Sequence, residues 1–385
     1  MTDINENAEC RHRMGGGVAL QARPTLNEPG IKGLGQRKRA GYRRGFIILS
    51  AVFLIVFFSS FILGRFSISP GDLLKILASR FLAFLGRVFG SDLGISRTWQ
   101  DAAETVAVNV RMPRIIAAAV IGAALSVAEA SYQGMFRNPM VSPDILGAST
   151  GAGFGAAMGI LLGFSYGGIV VSSFLFGLGA VFLAYAISSA SRLNTTLSMV
   201  LAGIMVSSVF TAGTSFVKLV ADTDNQLPAI TYWLMGSLTS IRGGDAAFVS
   251  ILVIAGVIPI FLLRWRINLL TVSDDEARSL GINTKRLRFV VIVCATLITA
   301  ASVSVSGMIG WVGLVIPHFC RLIFGYDYRR LIPAAMLLGG AFLMLVDDLA
   351  RIVTTAELPL GVLTAFVGGP VFVWLILRKS GVNED

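Results

Sequence analysis

The strongest constraint on the architecture comes from residues 145–187, which read ILGASTGAGFGAAMGILLGFSYGGIVVSSFLFGLGAVFLAYAI and contain no charged side chain. A helix crosses the hydrocarbon core of a bilayer with about 20 apolar residues, so this stretch is too long for a single crossing. Ser165-Tyr166-Gly167-Gly168 lies near its middle and consists of residues that favour turns. We therefore predict two membrane-spanning helices joined by a short turn.

The same apolar character extends along the rest of the chain. Hydrophobic residues make up 55% of the sequence and charged residues only 14%, whereas a soluble domain carries about 25% charge. The formal net charge is +10, but the basic residues lie in short segments that flank the apolar runs. This placement is typical of topology signals and of contact with membrane lipid, and it argues against a nucleic-acid partner.

Ten apolar segments are predicted to span the membrane. When the spans alternate in direction, basic clusters such as residues 37–44 and 264–288 fall on the same side of the membrane, which predicts that this side and both termini are cytoplasmic. Arg111 and Arg351 fall on the outer side and are exceptions. The predicted spans are 46–63, 112–128, two within 145–187, 197–217, 246–263, two within 289–321, 331–350 and 359–377.

The chain is predicted to consist of three parts. Residues 1–45 are polar and basic, and we expect a disordered cytoplasmic extension there. It is not a cleavable signal, because the apolar run that follows is long enough to span the membrane. Residues 46–378 form an all-α polytopic membrane domain, and residues 379–385 form a cytoplasmic tail.

Patterns typical of enzymes and metal sites are absent from the sequence. No GxxxxGK[ST] phosphate loop occurs, so the chain cannot hydrolyse ATP by that chemistry, and any ATPase is a separate subunit. The three cysteines and two histidines show no zinc-site spacing. We therefore predict a transporter with no catalytic residues, no metal and no cofactor of its own; an intramembrane enzyme is the least favoured alternative.

Glycines recur every four residues along the first of the two uncharged helices. This spacing gives a helix one flat side, against which a neighbouring backbone can pack closely. We predict a helix-packing surface, which would also suit sliding between conformations. The glycines are Gly147, Gly151, Gly155, Gly159 and Gly163.

A short helix with both ends capped is predicted at about residues 273–281, on the cytoplasmic side. Ser273 and Glu276 have the spacing of a capping box, and Gly281 stands where a C′ glycine is expected. A linker does not need two defined ends, so this helix is a candidate contact for a partner that moves the membrane part. A plain surface helix is the alternative.

Glu129 lies in the inner part of the second predicted span. A carboxylate within the membrane is costly and usually faces a cavity or a partner. Glu129 could couple ion movement to transport in a secondary transporter. The interpretation that we prefer is a helix end close to cytoplasmic water.

Several long motifs follow one another along the chain. They are RMPR (111–114), QGMFRNP (133–139), SPDILG (142–147), ARSLG (277–281), GWVGLVIPHFCR (310–321), AELPLG (356–361) and GGP (368–370). In this order they resemble the permease family of binding-protein-dependent ABC importers for iron siderophores, haem and vitamin B12 (FecCD type). The resemblance runs from about Arg111 to Arg378 and leaves residues 1–45 outside it.

This resemblance implies the type II ABC importer permease fold, with ten transmembrane helices in two halves of opposite orientation. It implies a homodimer in the inner (plasma) membrane of a bacterium or archaeon, with the transport pathway on its two-fold axis. Two cytoplasmic ATPase subunits, which bind ATP and Mg, and a periplasmic or lipid-anchored binding protein are the implied partners. The implied substrate is an iron chelate, haem or cobalamin, and the SPDILG motif slightly favours an iron chelate.

The resemblance also assigns a role to the outer arginines. Arg111, Arg114 and Arg351 match arginines that face the binding protein and pair with its glutamates. A guanidinium group suits this role because it binds a carboxylate with two parallel hydrogen bonds. Glu129 departs from the family pattern, which usually has a small residue such as glycine there.

Three further groups of residues are predicted to act on the inner side and along the pathway. The capped helix matches the coupling helix that contacts the ATPase, and hydroxylated residues in the fifth span suit a bulky substrate that passes without tight chelation. The coupling residues are Ser273, Glu276, Ala277, Arg278, Leu280 and Gly281. The residues that match the cytoplasmic gate are Asn138, Met140, Thr195 and Thr196, and the predicted pathway residues are Ser207, Ser208, Thr211 and Thr214.

Overall fold

The computed structural model describes residues 29–89, 97–191, 195–272, 274–353 and 357–380. Within these ranges the regular secondary structure is helical throughout. The helices are α1 (Pro29–Ile62), α2 (Pro70–Phe89), α3 (Asp101–Thr105), α4 (Met112–Phe136), α5 (Ala148–Leu161), α6 (Tyr166–Ala190), α7 (Thr195–Val220), α8 (Gln226–Leu234), α9 (Gly243–Leu270), α10 (Asp274–Ser279), α11 (Thr284–Ser306), α12 (Val312–Phe324), α13 (Tyr328–Ile352) and α14 (Leu360–Ser380).

The chain divides into two compact units, residues 1–44 and residues 45–385. In the first unit, the described residues 29–44 are helical. Residues 1–28 lie outside the described ranges, so the disordered extension stays a prediction. The helical segment contains several lysines and arginines, which are good helix formers, so a helix nucleated in the apolar run can propagate backward into it.

Seven of the described helices are long and apolar enough to cross a membrane, which makes the chain a multi-pass membrane protein. They are Gly41–Ile62, Asp101–Phe136, Tyr166–Ala190, Thr196–Val220, Gly243–Leu270, Thr284–Ser306 and Tyr328–Ile352. Three shorter apolar helices, Ala148–Leu161, Val312–Phe324 and Leu360–Trp374, fall where the remaining spans were predicted. The all-helical membrane fold is confirmed, and the count of ten spans stays a prediction.

The centre of the second unit is formed by α4, α11 and α13. Of the most apolar stretch in each helix, 78% is buried in α4 and α11 and 67% in α13. Helices α4 and α13 cross at Gly122 and Gly339, where a Cβ atom on either glycine would overlap the carbonyl oxygen of the other. Small residues permit such close approach between membrane helices, so this crossing depends on glycine.

Helices α5 and α6 pack through the regularly spaced glycines. A Cβ atom on Gly151 would lie 2.6 Å from the carbonyl oxygen of Phe176, and one on Gly155 would lie 2.6 Å from that of Ser172. The Ser172 hydroxyl donates to the Gly155 carbonyl oxygen at 2.7 Å. Gly147 differs from the others, because it precedes α5 with a φ of +87° and so caps the helix.

The turn between α5 and α6 lies slightly earlier than the sequence suggested. Gly163 has a φ of +71°, a conformation that favours glycine, and Ser165 caps α6 by accepting a hydrogen bond from the Gly168 backbone at 3.4 Å. Tyr166 is therefore already the first residue of α6. A serine before an apolar run is a helix-start signal as well as a turn signal.

Candidate functional site

A buried network of charged side chains joins the start of α4 to the end of α13. Arg114 Nε donates to both carboxylate oxygens of Asp347, at 2.9 and 3.0 Å, and its Nη1 donates to Glu357 Oε2 at 2.8 Å. Asp347 also lies 3.3 Å from Arg351 Nε, and Arg351 pairs with Asp348. We call these five residues the arginine–carboxylate network.

Helix geometry assembles this network within α13. Asp347 and Asp348 precede Arg351 by four and three residues, so the three side chains can meet on one side of the helix. The Ser60 hydroxyl donates to Asp348 Oδ2 at 2.7 Å and connects α1 to the same group. A buried charge is tolerated where it is paired, so the three helices hold one another through this network.

Arg111 lies beside the network, at the end of a short π-helical turn that leads into α4. Its guanidinium group donates to the carbonyl oxygens of Phe61 and Phe66, around the C-terminal end of α1. The carbonyl groups at the end of a helix attract a cation. Gly64 lies against this group with a φ of +146°, and a Cβ atom there would lie 2.7 Å from Arg111 Nη2.

The three outer arginines therefore have partners inside the chain. Arg111, Arg114 and Arg351 are only 4%, 6% and 7% exposed. Their internal partners explain how three arginines can be buried at the ends of apolar helices. The docking role stays a prediction, and it requires a binding-protein carboxylate to reach guanidinium groups that already have hydrogen-bond acceptors.

Asp347 and Asp348 were missed in the sequence analysis. We treated the span at 331–350 as apolar and considered Arg351 without looking for an internal partner. The signal was present, because adjacent carboxylates in an apolar helix three and four residues before an arginine are a pattern of paired charges.

Glu357 connects the network to the loop between α8 and α9. The Thr239 hydroxyl donates to Glu357 Oε2 at 2.6 Å. Burial by itself would raise the pKa of Glu357, but the hydrogen bond from Thr239 and the charge of Arg114 together hold the pKa below its ordinary value. Glu357 therefore stays ionised as the shared acceptor of Arg114 and Thr239 at neutral pH.

Helix α10, which lies between α9 and α11 in the chain, has the predicted C-terminal cap. Gly281 has a φ of +77°, and the Ile282 backbone N–H donates to the Ala277 carbonyl oxygen at 3.2 Å, which is a Schellman arrangement. Ala277 is fully buried, whereas Leu280 is 64% exposed. Ser273 and the side chain of Arg278 lie outside the described residues, so the predicted capping box stays a prediction. Glu276 is exposed within the helix.

The predicted gate residues fall into two places. Asn138 Oδ1 accepts a hydrogen bond from the Met140 backbone at 2.9 Å and so fixes the turn after α4, where Met140 is 51% exposed. Thr196 accepts a hydrogen bond from Arg288 Nη1 of α11 at 3.2 Å. Thr195 begins α7, and its side chain lies outside the described residues.

The predicted pathway residues lie on α7, which exposes most of its surface. Three of their hydroxyl groups donate to carbonyl oxygens one turn earlier in the same helix, at 2.8–2.9 Å. Ser207 donates instead to the Asp144 carbonyl oxygen at 3.4 Å. The three hydroxyls bonded within α7 belong to Ser208, Thr211 and Thr214. Because their hydrogens are satisfied internally, these groups present a weakly polar surface.

Glu129 is not at a water-exposed helix end, and our preferred interpretation of it is wrong. Its side chain is 3% exposed and accepts a hydrogen bond from Gln133 Nε2 at 3.4 Å. Helix α12 packs over it at Gly313, where a Cβ atom would lie 2.7 Å from Glu129 Oε2. The absence of a side chain at 313 provides the space for the carboxylate, a pairing that only the folded chain reveals.

Among the described residues, no three His, Cys, Asp or Glu side chains are grouped so that they could hold a metal ion. Cys294 and Cys320 are buried and free.

The chain is similar to known transport proteins along most of its length. The model of the FecCD transport family matches residues 52–378. The probable iron chelatin permease of Helicobacter pylori is 38% identical over 80% of this chain and 98% of its own length. The molybdate import permease of Haemophilus influenzae is 35% identical over 84% and 92%, and the hemin permease of Yersinia pestis 35% over 72% and 85%. A structure of a metal-chelate type ABC transporter in an inward-facing conformation superposes with a TM-score of 0.77 at 33% identity, covering 87% of this chain and 99% of that one.

Proposed function

The chain belongs to the FecCD transport family and is an ABC importer permease, and we propose that it carries an iron chelate across the inner membrane. The observation that carries this proposal is the family match along residues 52–378, together with relatives named for iron chelatin and hemin. Haem and cobalamin are the alternative substrates, and molybdate is a further one because a molybdate permease is equally similar.

The chemistry of the α7 surface supports passage of a bulky substrate that the permease does not coordinate tightly. The hydroxyls of Ser208, Thr211 and Thr214 bond to their own helix, so they offer little competition for the ligands of a chelated metal. Selection of the substrate then occurs on the binding protein. The permease supplies a pathway that changes access between the two sides.

The assembly that we propose is a homodimer with two ATPase subunits and one binding protein. Only 22% of the apolar stretch of α7 is buried within one chain, which leaves a helix face for a second copy around the pathway. In this proposal, a topology of ten spans with cytoplasmic termini puts α10 on the ATPase side. ATP-driven closure of the ATPases would then move α10 and, through α9 and α11, the membrane helices.

Reconstitution of the whole transporter in proteoliposomes tests this function. The permease is co-expressed with its ATPase subunits, and uptake is measured with the binding protein loaded with a ferric siderophore, haem, cobalamin or molybdate. We expect ATP-dependent uptake of the ferric siderophore. Uptake of only one of the other ligands would replace the substrate assignment and leave the permease function intact.

The coupling role of α10 is tested by a matched pair of leucine variants. Leu280 beside α10 and Leu74 on α2 are 64% and 65% exposed, so neither substitution removes core packing. We expect Leu280→Asp to prevent co-purification of the ATPase and Leu74→Asp to leave it unchanged. Equal co-purification with both variants would show that the ATPase binds elsewhere.

The ion-coupled alternative is tested at Glu129. Because Glu129 is buried against Gly313, we expect Glu129→Gln to retain ATP-driven uptake. Uptake by the isolated permease under a proton gradient, abolished in Glu129→Gln, would favour a secondary transporter instead.

A further inference from the structure

Two cavities lie side by side between α6 and α11. The first has a volume of about 370 Å³ and is lined by hydroxyl groups at the end of α6 and by Lys285 and Arg288 at the start of α11. The second has a volume of about 210 Å³ and is lined almost entirely by hydrocarbon, including Phe182 and Val293. Three residues, Tyr185, Phe289 and Ile292, line both cavities, so the two are immediate neighbours.

The first cavity has the chemistry of an anion site. Lys285 and Arg288 supply two positive charges, and none of the described residues that line the cavity is acidic. Ser188 and Ser191 add hydroxyl groups on the opposite wall, whereas the Ser189 hydroxyl donates to the Tyr185 carbonyl oxygen at 2.8 Å. Arginine and lysine with neighbouring hydroxyl donors are suited to phosphate oxygens, and the volume lies within the range of small-molecule sites.

The second cavity needs a different kind of ligand group. Its lining is apolar apart from Thr296 and Tyr185, and the rings of Tyr185 and Phe289 lie 5.5 Å apart between their centroids. Phe182 and Val293 are 74% and 47% exposed, so the groove opens toward the side of the helix bundle. A ligand that fills both cavities therefore carries an anionic head and a hydrocarbon tail.

We propose that this pair of cavities binds an anionic phospholipid of the cytoplasmic leaflet. The assignment to that leaflet rests on the membrane topology given under the proposed function, which places the end of α6 and the start of α11 on the cytoplasmic side. Basic pockets between membrane helices on that side attract anionic head groups. Arg288 also donates to Thr196 at 3.2 Å, so the phosphate would lie beside a predicted gate residue.

The test uses the full-length protein in detergent, exchanged into an equimolar mixture of phosphatidylglycerol and phosphatidylcholine with the same acyl chains. Native mass spectrometry measures the lipid that is retained. We expect about a tenfold preference for phosphatidylglycerol, since each basic residue near the head group contributes a few-fold. Equal retention of the two lipids would overturn the proposal.

Matched variants separate the head-group site from general surface charge. Lys285→Gln should lower the preference about fivefold, whereas Arg286→Gln should leave it unchanged, because Arg286 lines a different cavity beside Gly281. Both residues are exposed, so folding is not at risk. An equal loss in the two variants would show that the preference reflects net charge alone.

The apolar groove has its own variant and its own competing outcome. Val293→Trp should fill the groove and reduce phosphatidylglycerol retention, with an unchanged melting temperature as the control for folding. Glycerol 3-phosphate should not displace the lipid, and displacement at equal concentration would identify a soluble-anion site and overturn the proposal. Transport is not the readout, so a failure of the iron-chelate assignment would leave this result in place.

Discussion

Helices α4 and α13 differ from α7 in how they use their surfaces. In α4 and α13, 78% and 67% of the most apolar stretch is buried within the chain, against 22% in α7. The first pair encloses charged groups that are paired across helices, whereas α7 carries hydroxyls that bond to their own backbone. The comparison indicates that α4 and α13 form a scaffold within the chain and that α7 presents most of its surface to the outside of the single chain.

The largest loss of stability is expected from a substitution at the centre of the arginine–carboxylate network. Asp347→Asn would leave the buried cations of Arg114 and Arg351 without their common counter-charge. We expect the free energy of unfolding to fall by about 3–5 kcal/mol, the usual cost of breaking a buried ion pair. Denaturant titration in detergent measures it, and Asp224→Asn at an exposed position is the control. An unchanged titration would show that the network does not hold the scaffold.

A smaller effect is expected at the crossing of α4 and α13. Gly122→Ala places a Cβ atom against the Gly339 carbonyl oxygen, so the helices must separate. We expect a loss of about 1–3 kcal/mol, as for overpacked cores. Gly179→Ala is the matched control, because no atom lies within 4 Å of that Cβ position on α6. Equal melting temperatures for the two variants would contradict the close crossing.

The contribution of Glu357 to the stability of the arginine–carboxylate network should depend on pH. The pKa of Glu357 is lowered in the folded protein, so its stabilising contribution is present above the ordinary value of 4.5 and is lost as the pH falls through the folded pKa. We expect wild type to melt at a higher temperature than Glu357→Gln at neutral pH. The difference should shrink as the pH falls below 4.5. A difference that is independent of pH would show that the charge of Glu357 does not contribute.

The smallest effect is expected on α7. Ser208→Ala removes only a hydrogen bond within the same helix, at an exposed position. We expect the free energy of unfolding to change by less than about 0.5 kcal/mol. Thermal melting in detergent provides the measurement. A loss comparable with that of Asp347→Asn would remove the distinction between the buried scaffold helices and the exposed helix α7.

Much of the fold could be predicted from local sequence, because crossing a bilayer depends on length and apolar content. The uncharged stretch at 145–187 does divide into two helices, and Gly281 does end α10 in the predicted left-handed conformation. The start of α1 at Pro29 could not be predicted in this way, because helix propagation into a polar segment depends on small propensity differences.

Contacts between residues that are distant in sequence could not be predicted from local patterns. Arg114 and Asp347 are separated by 233 residues, and no local pattern indicates that they meet. Glu129 and Gly313 fit together because glycine has no side chain and so leaves space for the Glu129 carboxylate. Such complementarity depends on the crossing of two helices, which hydropathy does not specify.

The sequence by itself determined that this protein is a multi-pass helical membrane protein of the FecCD type with a short helix that ends at Gly281, because these features follow from composition, spacing and motifs. Only the tertiary structure decided that the outer arginines are buried in a network with Asp347, Asp348 and Glu357 and that Glu129 is enclosed. Burial and charge pairing arise where helices meet, and the free energy of a charge depends on neighbours that are distant in sequence.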